Sequence, residues 1–374
     1  MLACGRAYRS TMERKSVAMS PTASPAAKPA DLPVGDRPIT MVPDAALLPE
    51  VLPTDRLGVT GMPLPALRAE LRRIDDVRNI GTVVLVWVQS VVTIAATLVA
   101  IGAIRDAVAP VALAWLAMAV VLLAGVIMMG PAFARFAIIG HEAAHKLLFT
   151  NKRLNDAVGR WLVAYPAFVP LEIYRRGHFA HHRDEFGPDE PDMNLYVGYP
   201  ISRVSFGRKL ARDAIGVSGW KNLKPLLRST LSGATRPIAL RIVSAQVVVF
   251  AIFWAVGHPL GYLLLWLLPW MTSWRVINRL RAIAEHGGME RSSDRRRTTH
   301  HVRQSLLARF WIAPLNTGWH LAHHVDMGVP WRRLPDLHNE LVASGWVVPA
   351  LEYPNYRALW RALSSGDPGA SQSR

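Results

Sequence analysis

The sequence predicts an all-α membrane protein: four transmembrane helices in two hairpins, capped on the cytoplasmic side by helices that hold a histidine-rich metal site. Three observations lead there. The 374-residue chain is 51% hydrophobic with a mean hydropathy of +0.18, too apolar for an ordinary soluble enzyme. Its apolar residues gather into long runs without charge. Eight of its histidines gather into three five-residue runs, His141-Glu142-Ala143-Ala144-His145, His178-Phe179-Ala180-His181-His182 and His320-Leu321-Ala322-His323-His324.

In chain order, residues 1–65 are rich in Pro, Ala and Ser and read as a disordered cytoplasmic tail. Leu64 to Arg78 mixes Leu67, Leu71 and Ile74 with Arg68, Arg72, Arg73 and Arg78, the pattern of an amphipathic approach helix at a membrane surface. Thr82 to Ile104 carries no charge and is long enough to span a bilayer, which takes about 20 residues. A short turn, Arg105 to Pro110, leads to a second span, Val111 to Met129, whose helix continues past Pro131 into the first histidine run. Trp161 to Tyr174 is apolar, but Pro166 and Pro170 interrupt it, so it reads as an interfacial or re-entrant segment. Residues 183–237 are polar and basic and form a cap. The third span is Ile238 to Gly257. After the minimal turn at His258-Pro259 the fourth runs from Leu260 to about Leu280 and on to Glu285-His286-Gly287-Gly288. The main body is thus 66–354, and 355–374 is a C-terminal tail, first amphipathic and then disordered.

Charge gives the orientation. The net charge is +16. The two short turns carry one basic residue, Arg105, and nearly all other Lys and Arg lie on the opposite side, expected to be the cytoplasm. Both termini and all three histidine runs fall on that side. No nucleic-acid module accompanies the basic excess, so no nucleic-acid partner is expected. The single cysteine, Cys4, excludes an intrachain disulfide, a thiolate zinc site and a Cys-ligated iron–sulfur cluster. A metal must be held by His, Asp or Glu.

Residues three and four apart share a helix face. His141 therefore pairs with His145, His178 with His181 and His182, and His320 with His323 and His324. Three such faces turned inward make a nitrogen cage better suited to two metal ions than to one, because one ion rarely takes more than about six ligands. Neutral imidazole binds iron, zinc, copper or nickel without burying net charge.

The pattern H-x3-H, H-x2-H-H, H-x2-H-H around two membrane hairpins resembles the membrane fatty acid desaturase family, which is similar to alkane and carotenoid hydroxylases and carotenoid ketolases. The resemblance covers about residues 80–345. Pro330-Trp331-Arg332-Arg333-Leu334-Pro335-Asp336-Leu337-His338 resembles the segment that closes bacterial desaturases. It implies a di-iron centre, dioxygen as co-substrate, and a lipid or fatty acyl chain desaturated in a tunnel. It also implies a separate electron donor, a ferredoxin, rubredoxin or cytochrome with its reductase. The implied ligands are His141, His145, His178, His181, His182, His320, His323 and His324. A ninth is expected near the end of the fourth span: His286, in a Glu-His-Gly motif similar to that of desaturase-like and alkane hydroxylase sequences. His300 and His301 compete with it, although the run Arg295-Arg296-Arg297-Thr298-Thr299 beside them reads as solvated surface.

Other readings remain open. A hydroxylase or ketolase acting on a lipid, alkane or terpenoid would share the site. His141-Glu142-Ala143-Ala144-His145 also matches H-E-x-x-H, the pattern of a membrane zinc protease with Glu142 as general base, but that leaves six clustered histidines unexplained. A metal carrier would place ionisable groups inside its spans, whose centres here are free of Asp, Glu and His. Under the desaturase reading Glu142 orients an imidazole through its N–H, with Asp184, Glu285 and Asp326 as further candidates for that role. The loop Gly187-Pro188-Asp189-Glu190-Pro191-Asp192 is either a plain turn or packs near the site. His258 and His338 read as structural, and Trp274 and Asn278 as candidate tunnel lining.

Overall fold

A computed structural model describes residues 40–366 apart from 109, 189 and 232. The chain divides into two units, Met1–Pro38 and Ile39–Arg374, and the described residues all lie in the second.

Three helices are long and apolar enough to cross a membrane: α2 (Asp76–Ala107) and α3 (Val111–Ala144), preceded by a short α1 (Pro65–Leu71), and α9 (Arg236–Ala255). Val88, Val91, Val92 and Val99 on α2, and Trp115, Leu116, Val120 and Leu123 on α3, are exposed. Helices so apolar on their outer faces need hydrocarbon around them. The inner faces touch through small residues. A Cβ on Gly125 would lie 2.5 Å from Thr97, and one on Gly130 would lie 2.9 Å from Ile277. Close approach of this kind holds helices together where water gives no drive. As expected, α3 runs through Pro131 to the first histidines. Arg135 donates to the Pro131 carbonyl at 3.0 Å.

Between α3 and α9 lie α4 (Lys152–Val158), a π-helical turn at Gly159–Ala164, α5 (Leu171–Arg183), α6 (Met193–Tyr196), α7 (Arg203–Ala214) and α8 (Val217–Ser229). The Pro-interrupted stretch does not form one helix, because Pro166 and Pro170 lack N–H donors. Its freed carbonyls are satisfied by side chains of the neighbouring helices: Trp87 Nε1 donates to Leu162 at 2.8 Å, Trp266 Nε1 to Pro166 at 3.1 Å and Gln246 to Tyr165 at 2.8 Å. Irregular backbone survives among spans only when it is satisfied in this way.

The expected fourth span is broken. It consists of α10 (Pro259–Tyr262), a π turn at Leu263–Leu267, α11 (Leu268–Met271) and α12 (Ser273–His286). Thr272 leaves helical geometry at φ −119°, ψ −86°. Pro269 removes one ladder donor, and beyond the break the sequence turns polar with Arg275, Asn278, Arg279 and Arg281. Ser273 Oγ donates to the Val126 carbonyl of α3 at 2.8 Å, so the break is docked on the neighbouring helix. The approach helix is likewise shorter than expected, because α1 stops at Leu71 and α2 starts at Asp76.

The cap closes with α13 (Leu306–Trp311), α14 (His320–Val325), α15 (Leu334–Ala343) and α16 (Tyr356–Leu363). Strand β1 (His301–Val302) pairs in parallel with β2 (Glu352–Tyr353). One expected tail is corrected here, and the amphipathic start of the other packs on the body. Residues 40–64 are not a disordered tail: Met41 N–H bonds the Gly288 carbonyl at 2.8 Å, Leu57 is 1% exposed, and Arg56 pairs with Glu340 at 2.8 Å. Pro-rich sequence forbids long helix but not packing. Similarly, α16 buries Tyr356, Leu359 and Leu363 against Ile283. The remaining tail residues, 1–39 and 367–374, lie outside the described residues.

Candidate metal centre

Each histidine run sits at an end of a helix, as its spacing requires. His141 and His145 close α3, His178, His181 and His182 close α5, and α14 is the third run itself. His286 is the last residue of α12. All nine side chains are buried.

The structure brings these nine together as two abutting groups. In the first, the ligand atoms of His141, His145, His178, His182 and His323 lie within 4.8 Å of one another. Nε2 atoms face each other at 2.9 Å (His178 and His145), 3.0 Å (His182 and His178; His323 and His182) and 3.1 Å (His141 and His323). In the second, His181, His286 and His324 form one such cluster, and His320 Nε2 lies 3.1 Å from that of His286 and 3.0 Å from that of His324. The groups meet where the His182 and His324 rings lie tilted against each other, 4.4 Å between centroids.

Tautomers decide whether these nitrogens repel or bond. His286 Nδ1 donates to the Thr298 carbonyl at 2.9 Å, which can only accept, so Nδ1 carries the proton and Nε2 is a bare lone pair. His324 Nδ1 likewise donates to Glu185, and His181 Nδ1 to Glu190 at 2.5 Å. His320 Nδ1 is 3.6 Å from Glu285. Burial holds His178, His182, His286, His320, His323 and His324 well below the ordinary histidine pKa, so they are neutral. For His181 burial lowers the pKa, but the hydrogen bond and charge of Glu190 outweigh it and leave it above the ordinary histidine value. Each neutral imidazole carries one bare ring nitrogen, and rings converging at about 3 Å place those lone pairs where a cation can share them. The donor set therefore fits metal ions.

His300 and His301 do not join either group. His300 Nε2 bonds the Gly287 carbonyl at 2.7 Å, and His301 meets Glu352 at 3.2 Å and stacks on His338. The basic run beside them is not a solvated surface: Arg296 is 5% exposed and donates to the Pro49 and Trp346 carbonyls and to Asp294.

Three of the four expected imidazole-orienting carboxylates have other partners. Glu142 accepts from the Trp331 N–H at 3.1 Å. Asp184 pairs with Arg291 and Asp326 with Arg72, each at 2.6 Å. Glu285 pairs with Arg281 at 2.9 Å and only approaches His320. The residues that perform this task are Glu190, in the acidic loop, and Glu185, which sequence reasoning passed over. The chain turns sharply after α5, with Phe186 at φ 58°, and this sends Glu185 inward while Asp184 faces Arg291. Glu185 lies three residues beyond His182, on the same helical face if α5 continued, and that spacing was the available signal.

A cavity of about 900 Å³ reaches the second group. Its wall includes His178, His181, His286 and His320, with Phe168, Trp270, Trp274 and Asn278 along the side.

The family model described as fatty acid desaturase matches residues 113–365. The chain belongs to that family. It is 29% identical over 143 residues to a chloroplastic omega-6 fatty acid desaturase of Brassica napus, covering 35% of this chain and 30% of the relative. It is 27% identical over 234 residues to the dihydrorhizobitoxine desaturase of Bradyrhizobium elkanii, covering 58% of this chain and 65% of that protein. The chain thus spans less than two thirds of the length of these desaturases. The matched segment contains all three histidine runs, His286, Glu185 and Glu190.

Proposed function

We propose that this protein is an oxygen-dependent membrane desaturase that introduces a double bond into a lipid or fatty acyl chain. The observation that carries the proposal is the pair of abutting imidazole groups whose ring nitrogens converge. One group is supplied by His141, His145, His178, His182 and His323, the other by His181, His286, His320 and His324. Each would hold one iron ion. When bound, such a pair supplies dioxygen activation strong enough to take hydrogen from an unactivated carbon.

The chain's own residues do the rest. Glu190, Glu185 and the Thr298 carbonyl hold the Nδ1 protons of His181, His324 and His286, which fixes those rings with Nε2 toward the centre. Phe168, Trp270 and Trp274 give the cavity an apolar wall for an acyl chain beside His178, His181, His286 and His320. Removing two hydrogens from the chain while reducing dioxygen to two waters takes up two further electrons and two protons. A separate ferredoxin, rubredoxin or cytochrome with its reductase would supply the electrons. Desaturase-named relatives favour this outcome over oxygen insertion. In the membrane, α2, α3 and α9 would be joined by the broken segment from Pro259 as a fourth crossing, with the histidine cap and both termini on the cytoplasmic side.

Elemental analysis of the purified protein tests this reading. Two iron ions per chain, lost together with activity in His181→Ala, are expected. A single zinc ion with no iron would point to the protease chemistry of H-E-x-x-H and overturn it.

A further inference from the structure

The same cavity changes character along its length. Helix α12 lines it with Arg275, Asn278, Arg279, Ala282, Glu285 and His286, one face at helical spacing. At about 1.5 Å per residue, the ends of that face are about 16 Å apart. The histidine end is described above. The other end is basic: Lys209, Arg212, Lys221, Arg275 and Arg279 line it, against one carboxylate, Asp213. Asp213 is already committed, since it accepts from Arg279 and from Ser218. Arg279 is thereby neutralised.

Arg275 is not neutralised. Its guanidinium stands over the Trp270 ring, with Cζ 4.0 Å from the centroid, and Nε donates to the Trp270 carbonyl at 3.1 Å. No carboxylate pairs with it among the described residues, and it lines the cavity. The contact with Trp270 and its carbonyl holds the side chain in place before any ligand arrives. A half-buried guanidinium without a counter-ion is costly beside a membrane. A fork held in place, with the N–H groups of both terminal nitrogens left for a ligand, matches a planar or tetrahedral oxyanion. Lys221 and Arg212 stand exposed nearer the solvent and add to the positive field there.

We propose that the cavity takes one amphiphile whose head is an oxyanion, a carboxylate or a phosphate, held by Arg275, with its apolar chain lying along α12 toward the histidines. This rests on reading the cavity as the substrate site. Arg275 is then the residue that selects the substrate class and fixes how far from the head the chain is oxidised.

Binding to the detergent-solubilised full-length protein tests it, with dodecanoate, dodecyl phosphate and dodecanol as probes. The wild type should bind at least one of the two anions about tenfold or more tightly than the alcohol. Which anion wins tells a carboxylate head from a phosphate one. Arg275→Gln should abolish the preference and leave the affinity for dodecanol unchanged, and Arg275→Lys should keep part of it. Equal wild-type affinity for anions and alcohol overturns the proposal whatever the variants do. So does a preference that survives in Arg275→Gln, since the anion would then be held elsewhere, for example at the histidines. Binding is read without turnover. A protein that selects the anion yet forms no double bond upholds this inference and refutes the desaturase reading, whereas an active desaturase indifferent to head charge does the reverse.

Discussion

His181 Nδ1 lies 2.5 Å from Glu190 Oε1, whereas the buried Nδ1 of His141 has no hydrogen-bond partner among the described residues. The two imidazole groups therefore differ in what stands behind them. His181 and His324 are backed by carboxylates, and His286 by a carbonyl. Carboxylates behind an imidazole raise its basicity and fix its orientation, and removing one typically costs about 10–100-fold in metal affinity. Glu190→Gln and Glu185→Gln should each weaken metal retention by that order, measured as metal left after dialysis against a chelator. Retention equal to wild type in both variants would mean that these carboxylates do not serve the site.

The ninth position can be settled by comparing His286→Ala with His300→Ala. The first removes a nitrogen that faces His320 and should lower the metal content by about half. The second removes only a bond to the Gly287 carbonyl. It should keep the metal and cost about 1–3 kcal/mol of stability for the orphaned acceptor. The reverse pattern of metal loss would reassign the ligand.

Glu142 separates the two chemistries that its motif allows. A zinc protease needs it as a general base, and its replacement by Gln would abolish activity. Here the side chain accepts from the Trp331 N–H at 3.1 Å, which a Gln carbonyl can also do. Glu142→Gln should therefore keep its metal and most of its activity, read by metal content and product yield.

His300 makes stability depend on acid. Burial lowers its pKa to about 4 from the model-peptide value of 6.5. Between those values the unfolded chain binds a proton that the folded chain does not, so stability is lost as pH falls through that window. At about 1.36 kcal/mol per pKa unit, the contribution is up to about 3 kcal/mol. Melting curves at pH 7 and pH 5 should show the wild type falling further than His300→Gln, whose amide can still donate to Gly287. Equal drops would remove His300 as a cause.

Helical spacing made most of the site legible. His141 and His145, His178 with His181 and His182, and His320 with His323 and His324 each had to share a face, and long apolar runs marked α2, α3 and α9. What the pattern did not carry was the way the chain turns between elements. The break at Thr272, the inward turn that selects Glu185 over Asp184, and the burial of Arg296 all depend on partners distant in sequence. Compositional cues misled for the same reason at residues 40–64, where proline-rich sequence packs on the cap through contacts to Gly288, Arg296 and Glu340.

Lipid mass decides the chemistry. The wild type and His181→Ala would be expressed in a bacterial host supplied with a ferredoxin system and air, and their total lipids compared by mass spectrometry. Products two hydrogens lighter than their precursors should appear with the wild type and be absent with the variant. Products heavier by one oxygen, or lighter products equally abundant with His181→Ala, would contradict a desaturase built on these histidines.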